Sequence, residues 1–504
     1  MTWHLGRTRG LAGTVLAWWL LPAGLSGQDV PRRPDRFDPV RVAIRQVMDS
    51  TGVPAIAVAV AQNGHITWEE GVGWADREKR IPATEHTMFS LASISKPITA
   101  TGLLRLVEEG KVDLDAPANL YLGPGKLTGL AGDAQRATVR RVMSHSAGLP
   151  LHYRFYYADL DYGEPIMDET IARYGILVYP PGEAYQYSNL GYGIVDHIIE
   201  RVSGLSYPDY LRTRVFAPLG LTRMSVHIGP GLAPYVAQRY DSQLRPIPYY
   251  DFDHDGGSAV YASAHDLVRF GMFHLKERLP EQQRILADST LDLMHQSHTP
   301  ASSEARYGLG WGIVNEFGWT RVSHTGGMPG VATILAIYPG ERTAVVVLTN
   351  KAATPYERIL QEILSLTFPP RYADSLRARR AQPPGPRETP HFVSPPELTG
   401  DWAGTLRTWQ GTLPFKLQFQ PDGNARVTLG DQMPALLSDV RLIGGVLTGR
   451  FPGTIPTPDA ARHPHSILLQ LRLLDGKLKG QASAQTTGEP AYFAVTSYVE
   501  VTRP

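Results

Sequence analysis

The chain has 504 residues, a formal net charge of +1 and 42% hydrophobic residues, which is the composition of an ordinary globular protein. This length exceeds what one compact core usually supports, so at least two domains are expected. The balanced charge gives no reason to expect nucleic acid as a partner, and the absence of cysteine excludes both a disulfide framework and a lipid-anchored cysteine.

The N-terminal segment has the pattern of a secretory signal peptide. Basic residues that include Arg7 and Arg9 precede an apolar run from Leu11 to Leu21, which is too short to span a bilayer comfortably. Small residues around Ser26 suit cleavage after residue 27. The pattern predicts a signal peptide over 1–27 and an exported protein, periplasmic or secreted, with no membrane span after cleavage.

The following residues, 28–368, predict an α+β domain. A short amphipathic helix is expected over 39–50, then two strands over 56–60 and 66–72, joined by a hairpin turn at Asn63-Gly64. The stretch from 93 to 290 is expected to be mostly helical. Strands resume over 308–314, 320–323, 331–338 and 344–349, and a helix follows over 355–366. Strands at both ends with helices between them favour one antiparallel sheet, built from the two chain ends and flanked by helices.

Residues 369–396 are rich in proline and poor in large apolar residues, so they are predicted to be a linker. Beyond it, residues 397–504 predict a second domain. Short strands separated by turn residues favour a small antiparallel barrel or sandwich. Strands are expected over 405–412, 415–420, 425–429, 446–451, 467–474, 480–484 and 492–501.

Ser93-Ile94-Ser95-Lys96 places a hydroxyl and an amine three residues apart, just before an apolar run at helical spacing. Positions i and i+3 share one helix face, so the two side chains can meet. A serine attacks only when a base takes its proton, and a lysine serves as that base when burial or nearby charge lowers its pKa. The tetrapeptide alone is a weak signal, because an ordinary helix start can have the same pattern.

Two further motifs follow in chain order. Tyr187-Ser188-Asn189 is the one Tyr-x-Asn of the chain, and His324-Thr325-Gly326-Gly327 precedes an apolar stretch. Together with the first motif, this set resembles the penicillin-recognising serine hydrolases, in the branch related to class C β-lactamases, D-aminopeptidases and esterases. In that family the motifs are Ser-x-x-Lys, Tyr-x-Asn and Lys- or His-x-Gly. The resemblance covers residues 38–366, and the C-terminal domain resembles the lipocalin-like modules that follow some of these hydrolases.

The resemblance implies a role for each motif residue. Ser93 is the acylated nucleophile, and either Lys96 or Tyr187 takes its proton, Tyr187 with a phenol pKa lowered by the neighbouring charges. Asn189 is expected to donate a hydrogen bond to the substrate or to Lys96. The backbone N–H groups of Ser93 and Gly327 are the expected oxyanion donors.

The third motif, which includes Gly326, carries His324 where β-lactamases and cell-wall carboxypeptidases usually have lysine. A fixed cation at that position holds the free carboxylate of the substrate. Histidine, with an unperturbed pKa of about 6.5, is mostly neutral at neutral pH. We therefore expect esters or small amides and peptides to be preferred over β-lactams, and carboxylate-bearing substrates to gain as the pH falls toward 6.

The sequence thus predicts an exported serine hydrolase that acts through an acyl-enzyme on a small ester, amide or peptide. The alternatives are a β-lactamase or D-Ala-type cell-wall peptidase, and a non-catalytic penicillin-binding receptor. Asp251–Gly256 begins like a calcium loop, but its twelfth position is Ala262 instead of glutamate, which favours a polar loop beside the cleft. No metal or other cofactor is expected, and the oligomeric state is not predicted.

Overall fold

The computed structural model describes residues 35–353, 356–382 and 392–504. The predicted signal peptide and residues 383–391 of the predicted linker lie outside these ranges. Among the described residues, no helix is both long enough and apolar enough to cross a membrane.

The strands fall into a group that belongs to the first domain and a group at the C-terminal end. In the first domain they are Ala55–Gln62 (β1), His65–Asp76 (β2), Ile81–Pro82 (β3), Met88–Ser90 (β4), Thr128–Gly129 (β5), Tyr153–Tyr157 (β6), Ile176–Leu177 (β7), Met224–Val226 (β8), Tyr250–Phe252 (β9), Val260–Ser263 (β10), Gly312–Glu316 (β11), Trp319–Met328 (β12), Val331–Tyr338 (β13) and Thr343–Thr349 (β14). In the C-terminal domain they are Gly400–Arg407 (β15), Thr412–Phe419 (β16), Ala425–Leu429 (β17), Ala435–Leu436 (β18), Ser438–Ile443 (β19), Val446–Pro452 (β20), His465–Leu474 (β21), Lys477–Thr486 (β22) and Phe493–Thr502 (β23).

The helices lie within the first domain and in the segment that follows it. They are Asp38–Thr51 (α1), Ser95–Glu108 (α2), Val139–Met143 (α3), Met167–Tyr174 (α4), Asn189–Ser203 (α5), Tyr207–Leu211 (α6), Asp255–Ser258 (α7), Ala264–His274 (α8), Asp288–Met294 (α9), Tyr356–Thr367 (α10) and Pro370–Ala381 (α11).

The first domain is built on an antiparallel sheet with the spatial order β11-β12-β13-β14-β1-β2-β3. β1 and β2 form a hairpin, with Asn63 and Gly64 both at positive φ in the turn. β1 also pairs with β14, where Val58 lies opposite Val347, so the two ends of the domain meet in the middle of the sheet. This arrangement confirms the predicted fold class, an antiparallel sheet built from both chain ends.

Helices cover both faces of this sheet, which explains why β1 is buried along almost its whole length. Val58 packs in a core with residues of α1 and α10. Ala57 and Ala59, which point the other way, pack in the larger core that includes α2 and α8. On that second face α2, α5 and α7 contact one another, and this three-helix junction carries two of the three sequence motifs.

The C-terminal domain is an antiparallel sheet with the order β18-β17-β16-β15-β23-β22-β21-β20-β19. It curls so far that β18 contacts β20, which makes a nearly closed barrel and confirms the predicted second all-β domain. The strand predicted over 405–412 is wrong: Thr408 and Gly411 form the turn between β15 and β16, with the hydroxyl of Thr408 bonded to the carbonyl of Gly411. The strand β19 was not predicted.

The predicted linker also differs from the structure. Residues 370–381 form α11, which packs on α10 through buried Tyr372 and Leu376. Proline at the first position of a helix is compatible with helical geometry, because its missing N–H has no intrahelical acceptor there. The proline at 370 therefore starts a helix instead of interrupting one.

Candidate active site

Ser93 lies in a single 3-10 turn, Ala92–Ile94, that leads directly into α2. Ala92 has a positive φ of 49°, a strained conformation for a residue with a side chain. Ala92 and Ile94 are buried whereas Ser93 is partly exposed, so the turn presents the serine to the cleft. The nucleophile expected from the sequence is thus held at the start of a rigid helix.

Lys96 lies one turn further along and is completely buried. Its Nζ atom is 3.1 Å from Oγ of Ser93, 2.8 Å from Oδ1 of Asn189 and 2.9 Å from the carbonyl oxygen of Gly257. Burial lowers the pKa of Lys96 well below its ordinary value, because an ammonium loses its hydration in this position. The structure therefore brings Ser93, Lys96 and Asn189 together as the motifs predict.

Tyr187 also lies next to Lys96. Nζ of Lys96 lies 4.8 Å from the centre of the Tyr187 ring, over its face. Burial raises the pKa of Tyr187, and a hydrogen bond with Ser93 opposes that rise only in part. The expected lowering of the phenol pKa is therefore wrong, because desolvation outweighs the effect of the neighbouring groups.

Asn189 starts α5, where the hydroxyl of Ser188 caps the helix by accepting a hydrogen bond from the N–H of Gly191. Oδ1 of Asn189 accepts from Lys96, and Nδ2 donates to the carbonyl oxygen of His152 at 3.0 Å. Oδ1 accepts from the lysine, so the expected donation from Asn189 to Lys96 is wrong. Nδ2 has a second hydrogen, so the expected donation to the substrate stays a prediction.

His324 lies in β12 with only 7% of its surface exposed. Its Nδ1 lies 2.7 Å from the carbonyl oxygen of Thr325 and therefore donates to it, so Nε2 accepts from the hydroxyl of Tyr307 at 2.9 Å. Burial lowers the pKa of His324 to about 3. The imidazole is consequently neutral at pH 6, which corrects the expectation that it protonates there.

The two glycines of the third motif have different surroundings. A Cβ atom on Gly326 would lie 2.0 Å from the carbonyl oxygen of Leu91, so β12 presses against the segment just before Ser93. A Cβ on Gly327 would meet nothing within 4 Å. Gly326 therefore allows the close approach of the third motif to the first, and Gly327 borders open space.

One central residue, His145, belongs to none of the three sequence motifs. His145 is buried among the rings of Tyr187, Tyr307 and neighbouring tyrosines, with centroid distances of 4.4 Å to Tyr187 and 4.6 Å to Tyr307. Its Nδ1 accepts the backbone N–H of Ser188, which anchors the second motif. Burial lowers the pKa of His145 well below its ordinary value, so it is a neutral scaffold. Its positive φ of 57° has no sequence signature.

A cavity of about 530 Å³ opens beside this group. Aromatic side chains line it together with the polar side chains of Arg306, Glu304 and Asn315. The residues that connect it to the motifs are Tyr185, Tyr187, Tyr307, His324 and Thr325. The cavity is large enough for a small organic molecule and is lined by both aromatic and charged side chains.

Near the group formed by Ser93, Lys96 and Asn189, Asp253 accepts hydrogen bonds from Nε2 of His152 and Nδ1 of His254 at 3.0 Å. These atoms lie close enough together to suggest metal ligands. However, Nη1 of Arg154 lies 3.8 Å from the same carboxylate and places a positive charge where a metal ion would compete. Burial favours the neutral acid, but the two imidazoles hold the pKa of Asp253 well below its usual range. Each imidazole thus uses one nitrogen for Asp253, and Nδ1 of His152 and Nε2 of His254 are buried without a hydrogen-bond partner in the described part of the chain.

The loop that resembles a calcium site at its start does not converge on one point. Asp251 and Asp255 bind opposite nitrogens of His227, at 2.8 and 2.7 Å, whereas Asp253 faces His152. Their side chains serve separate partners. The predicted polar loop is also wrong, because Asp251 belongs to β9 and Asp255 starts α7.

Comparison with known proteins agrees with the motifs. The beta-lactamase family model matches residues 40–366. Penicillin-binding protein 4* of Bacillus subtilis is 28% identical over 330 residues, which cover 60% of this chain and 70% of that protein. The chain is also similar in fold to an octameric penicillin-binding protein homologue from Pyrococcus abyssi, with a TM-score of 0.56 and 21% identity over 90% of this chain and 99% of the other. SurE, solved with D-Leu, has a TM-score of 0.60 and 21% identity over 93% and 99% of the two chains.

The matched family region contains all three motifs and ends just before α11. The two solved structures align over more than this region, so their likeness extends into the C-terminal domain. The chain belongs to the beta-lactamase family of serine hydrolases.

Proposed function

We propose that the protein hydrolyses small esters, amides or peptides through an acyl-enzyme on Ser93. The single observation that carries this proposal is the environment of the Lys96 amine. Its contacts with Asn189 Oδ1 and the Gly257 carbonyl are both with hydrogen-bond acceptors. A neutral amine has two hydrogens for these acceptors, and its lone pair is then left for the hydroxyl of Ser93.

This arrangement favours Lys96 over Tyr187 as the general base. Burial lowers the pKa of the amine and so populates its neutral form, whereas burial raises the pKa of the phenol and so removes its basic form. Tyr187 keeps its proton and can hydrogen-bond to the serine oxygen or to the leaving group. The role of base and the role of hydrogen-bond donor are thus divided between two side chains.

The chemical steps follow from these positions. Lys96 takes the hydroxyl proton as Oγ of Ser93 bonds to the carbonyl carbon, and the negative oxygen faces the backbone N–H groups of Ser93 and Gly327. Collapse breaks the bond to the leaving group, which receives the proton from Lys96. Water then attacks the acyl-enzyme and passes a proton to the same amine. The acyl–Oγ bond breaks as Oγ takes that proton from Lys96, which frees the acid product and restores Ser93.

The neutral, internally bonded His324 supports uncharged substrates. An imidazole that already donates to Thr325 and accepts from Tyr307 offers no free cation to a substrate carboxylate. Burying a carboxylate without a paired charge is costly. We therefore propose simple esters and uncharged acyl amides or peptides as the preferred class.

Acylation by penicillins is the second candidate, because Penicillin-binding protein 4* is among the relatives. A hydrolysis panel separates the two: short p-nitrophenyl esters, D- and L-amino-acid amides and a chromogenic cephalosporin, with intact-mass detection of an adduct on Ser93. Ester turnover that is lost in Ser93→Ala and kept in the exposed control Ser302→Ala supports the proposal. A stable penicillin adduct with no turnover of any substrate would identify a receptor instead.

We also propose that the enzyme is exported, on the basis of the basic and apolar pattern of residues 1–27. Expression of the full chain followed by N-terminal sequencing tests this. A mature protein that begins near residue 28 in the extracytoplasmic fraction is expected. A protein that retains Met1 or residue 2 as its first residue would contradict it.

A further inference from the structure

The C-terminal domain shares backbone hydrogen bonds with the hydrolase domain beside the catalytic group. β6 pairs with β23 of the C-terminal domain on one side and with β9 on the other. The N–H of Phe155 donates to the carbonyl of Tyr492 at 2.8 Å. β6 begins directly after His152, and β9 ends directly before Asp253. The two strands at this junction therefore lead straight to the group behind Lys96.

A buried ion pair crosses the same junction. Asp459 of the C-terminal domain is 3% exposed and accepts from Nη2 of Arg154 at 2.9 Å and from the hydroxyl of Tyr174 at 2.5 Å. Nη1 of Arg154 faces Asp253 at 3.8 Å. One guanidinium thus lies between carboxylates of the two domains. Buried charges of this kind need a fixed geometry, because each loses its hydration and depends on its partner.

The contacts continue from Asp253 to the catalytic lysine. Asp253 is bonded to the ring of His152, the backbone carbonyl of His152 accepts from Nδ2 of Asn189, and Oδ1 of Asn189 accepts from Lys96. The second acceptor of Lys96, the carbonyl of Gly257, lies four residues after Asp253. One acceptor of the amine, Asn189, is therefore held by the backbone of His152, and the other, Gly257, belongs to the segment that follows Asp253.

We propose that Asp459 is a positioning residue for the catalytic centre, which it reaches through Arg154 and Asp253. This inference rests on the proposed function. If the charge of Asp459 is removed, Arg154 loses its nearest anion and turns toward Asp253. The guanidinium then competes with His152 for that carboxylate, and the carbonyl that holds Asn189 shifts. The C-terminal domain in this way contributes to the orientation of Lys96 from across the domain junction.

The test uses the full chain with Asp459→Asn, which keeps the size of the side chain and removes its charge. We measure kcat and KM for a p-nitrophenyl ester, and the second-order rate constant for labelling of Ser93 by a fluorophosphonate. Because small misplacements of a catalytic group are costly, kcat and the labelling rate should fall by about 10- to 100-fold, with KM changed by less than about twofold. Asp459→Glu should restore part of the loss. Asp401→Asn, which removes an exposed charge of the same domain, should behave as wild type.

A merely structural role would lower the melting temperature of Asp459→Asn but leave kcat per labelled active site unchanged, and this result would overturn the inference. If that variant does not fold, Tyr174→Phe decides, because it removes one hydrogen bond to Asp459 and keeps every charge. A folded Tyr174→Phe with wild-type kcat and labelling rate would then overturn it, and a severalfold loss would support it. Wild-type protein that is not labelled at all would instead refute the proposed function.

Discussion

The hydroxyl of Tyr307 donates a hydrogen bond to Nε2 of His324 at 2.9 Å, and this contact fixes the imidazole of the third motif as a neutral group. The other ring nitrogen, Nδ1, donates a hydrogen bond to the carbonyl of Thr325. A lysine at this position would carry a permanent charge into the cleft. The Tyr307–His324 pair instead places two uncharged groups, hydrogen-bonded to each other, in the lining of the cavity.

The first prediction follows from that neutrality. Wild-type enzyme should prefer a neutral ester over a cephalosporin, because the missing charge-assisted hydrogen bond is worth ~1.5–3 kcal/mol, or roughly 10- to 150-fold. Since the pKa of His324 is about 3, the ratio of the two kcat/KM values should stay nearly constant from pH 8 to pH 6. His324→Lys should raise the relative rate on the cephalosporin. Equal rates on both substrates in the wild type at pH 8 would refute the argument.

The second prediction separates the two candidate bases. Lys96→Ala should lower kcat/KM for an ester by about 10³-fold, within the range expected for loss of a general base, whereas Tyr187→Phe should cost about tenfold. The base acts only when it is unprotonated, so wild-type activity should fall as the pH drops through the pKa of Lys96. Burial has moved that pKa below the ordinary range of lysine. The pH–rate profile of Lys96→Ala should lack this decrease in activity at lower pH. A larger loss in Tyr187→Phe would assign the base to the tyrosine.

The third prediction uses the two adjacent glycines as a matched pair. Gly326→Ala would bring a Cβ atom to 2.0 Å from the backbone oxygen of Leu91 and 2.2 Å from Oγ1 of Thr333. The backbone of Leu91 cannot shift without a large cost in free energy, so β12 must move away from the turn that holds Ser93. We expect a lower melting temperature together with loss of most of the activity. Gly327→Ala meets no atom within 4 Å and should melt close to wild type. Similar thermal stability of the two variants would show that β12 is not held against this turn.

The sequence was sufficient for the parts that depend on local pattern. The Asn63-Gly64 hairpin, the apolar β13 and β14 and the Ser93–Lys96 spacing can be recognised because each is set by residues close together in the chain. The spacing also implies that Lys96 reaches Ser93, since both project from one face of the turn that starts α2.

The parts that could not be predicted depend on burial and on partners far away in the chain. Whether the phenol of Tyr187 is acidic, and which way the amide of Asn189 points, are decided by desolvation and by the carbonyl of His152. The contact of Arg154 with Asp459 joins residues 305 positions apart. No periodicity encodes such a pairing. The turn at 408–411 was missed for a simpler reason, because Thr408 and Trp409 both favour strands.

The last prediction concerns a buried carboxyl group in α5, the helix that begins at Asn189. Asp196 is buried in α5, where Oδ2 accepts the backbone N–H of Gly256. Burial, together with the negative charge of Asp255, raises the pKa of Asp196 well above its ordinary value. The folded protein therefore keeps a proton that the unfolded chain loses above a pH of about 4. Folding stability then decreases as the pH rises from that value toward the folded-state pKa.

Asp196→Asn keeps an oxygen acceptor for Gly256 and has no proton to lose. Its melting temperature should exceed that of wild type by a few degrees at pH 8 and equal it near pH 4, as read by calorimetry at pH 4, 6 and 8. Asp241→Asn is the control, for which we expect the opposite change in melting temperature at pH 8. Burial alone would raise the pKa of Asp241, but hydrogen bonds from Arg245 lower it, so its charge stabilises the folded state above pH 4 and its loss should lower the melting temperature at pH 8. If Asp196→Asn melts below wild type at pH 8, Asp196 is ionised there and stabilises the fold, contrary to the prediction.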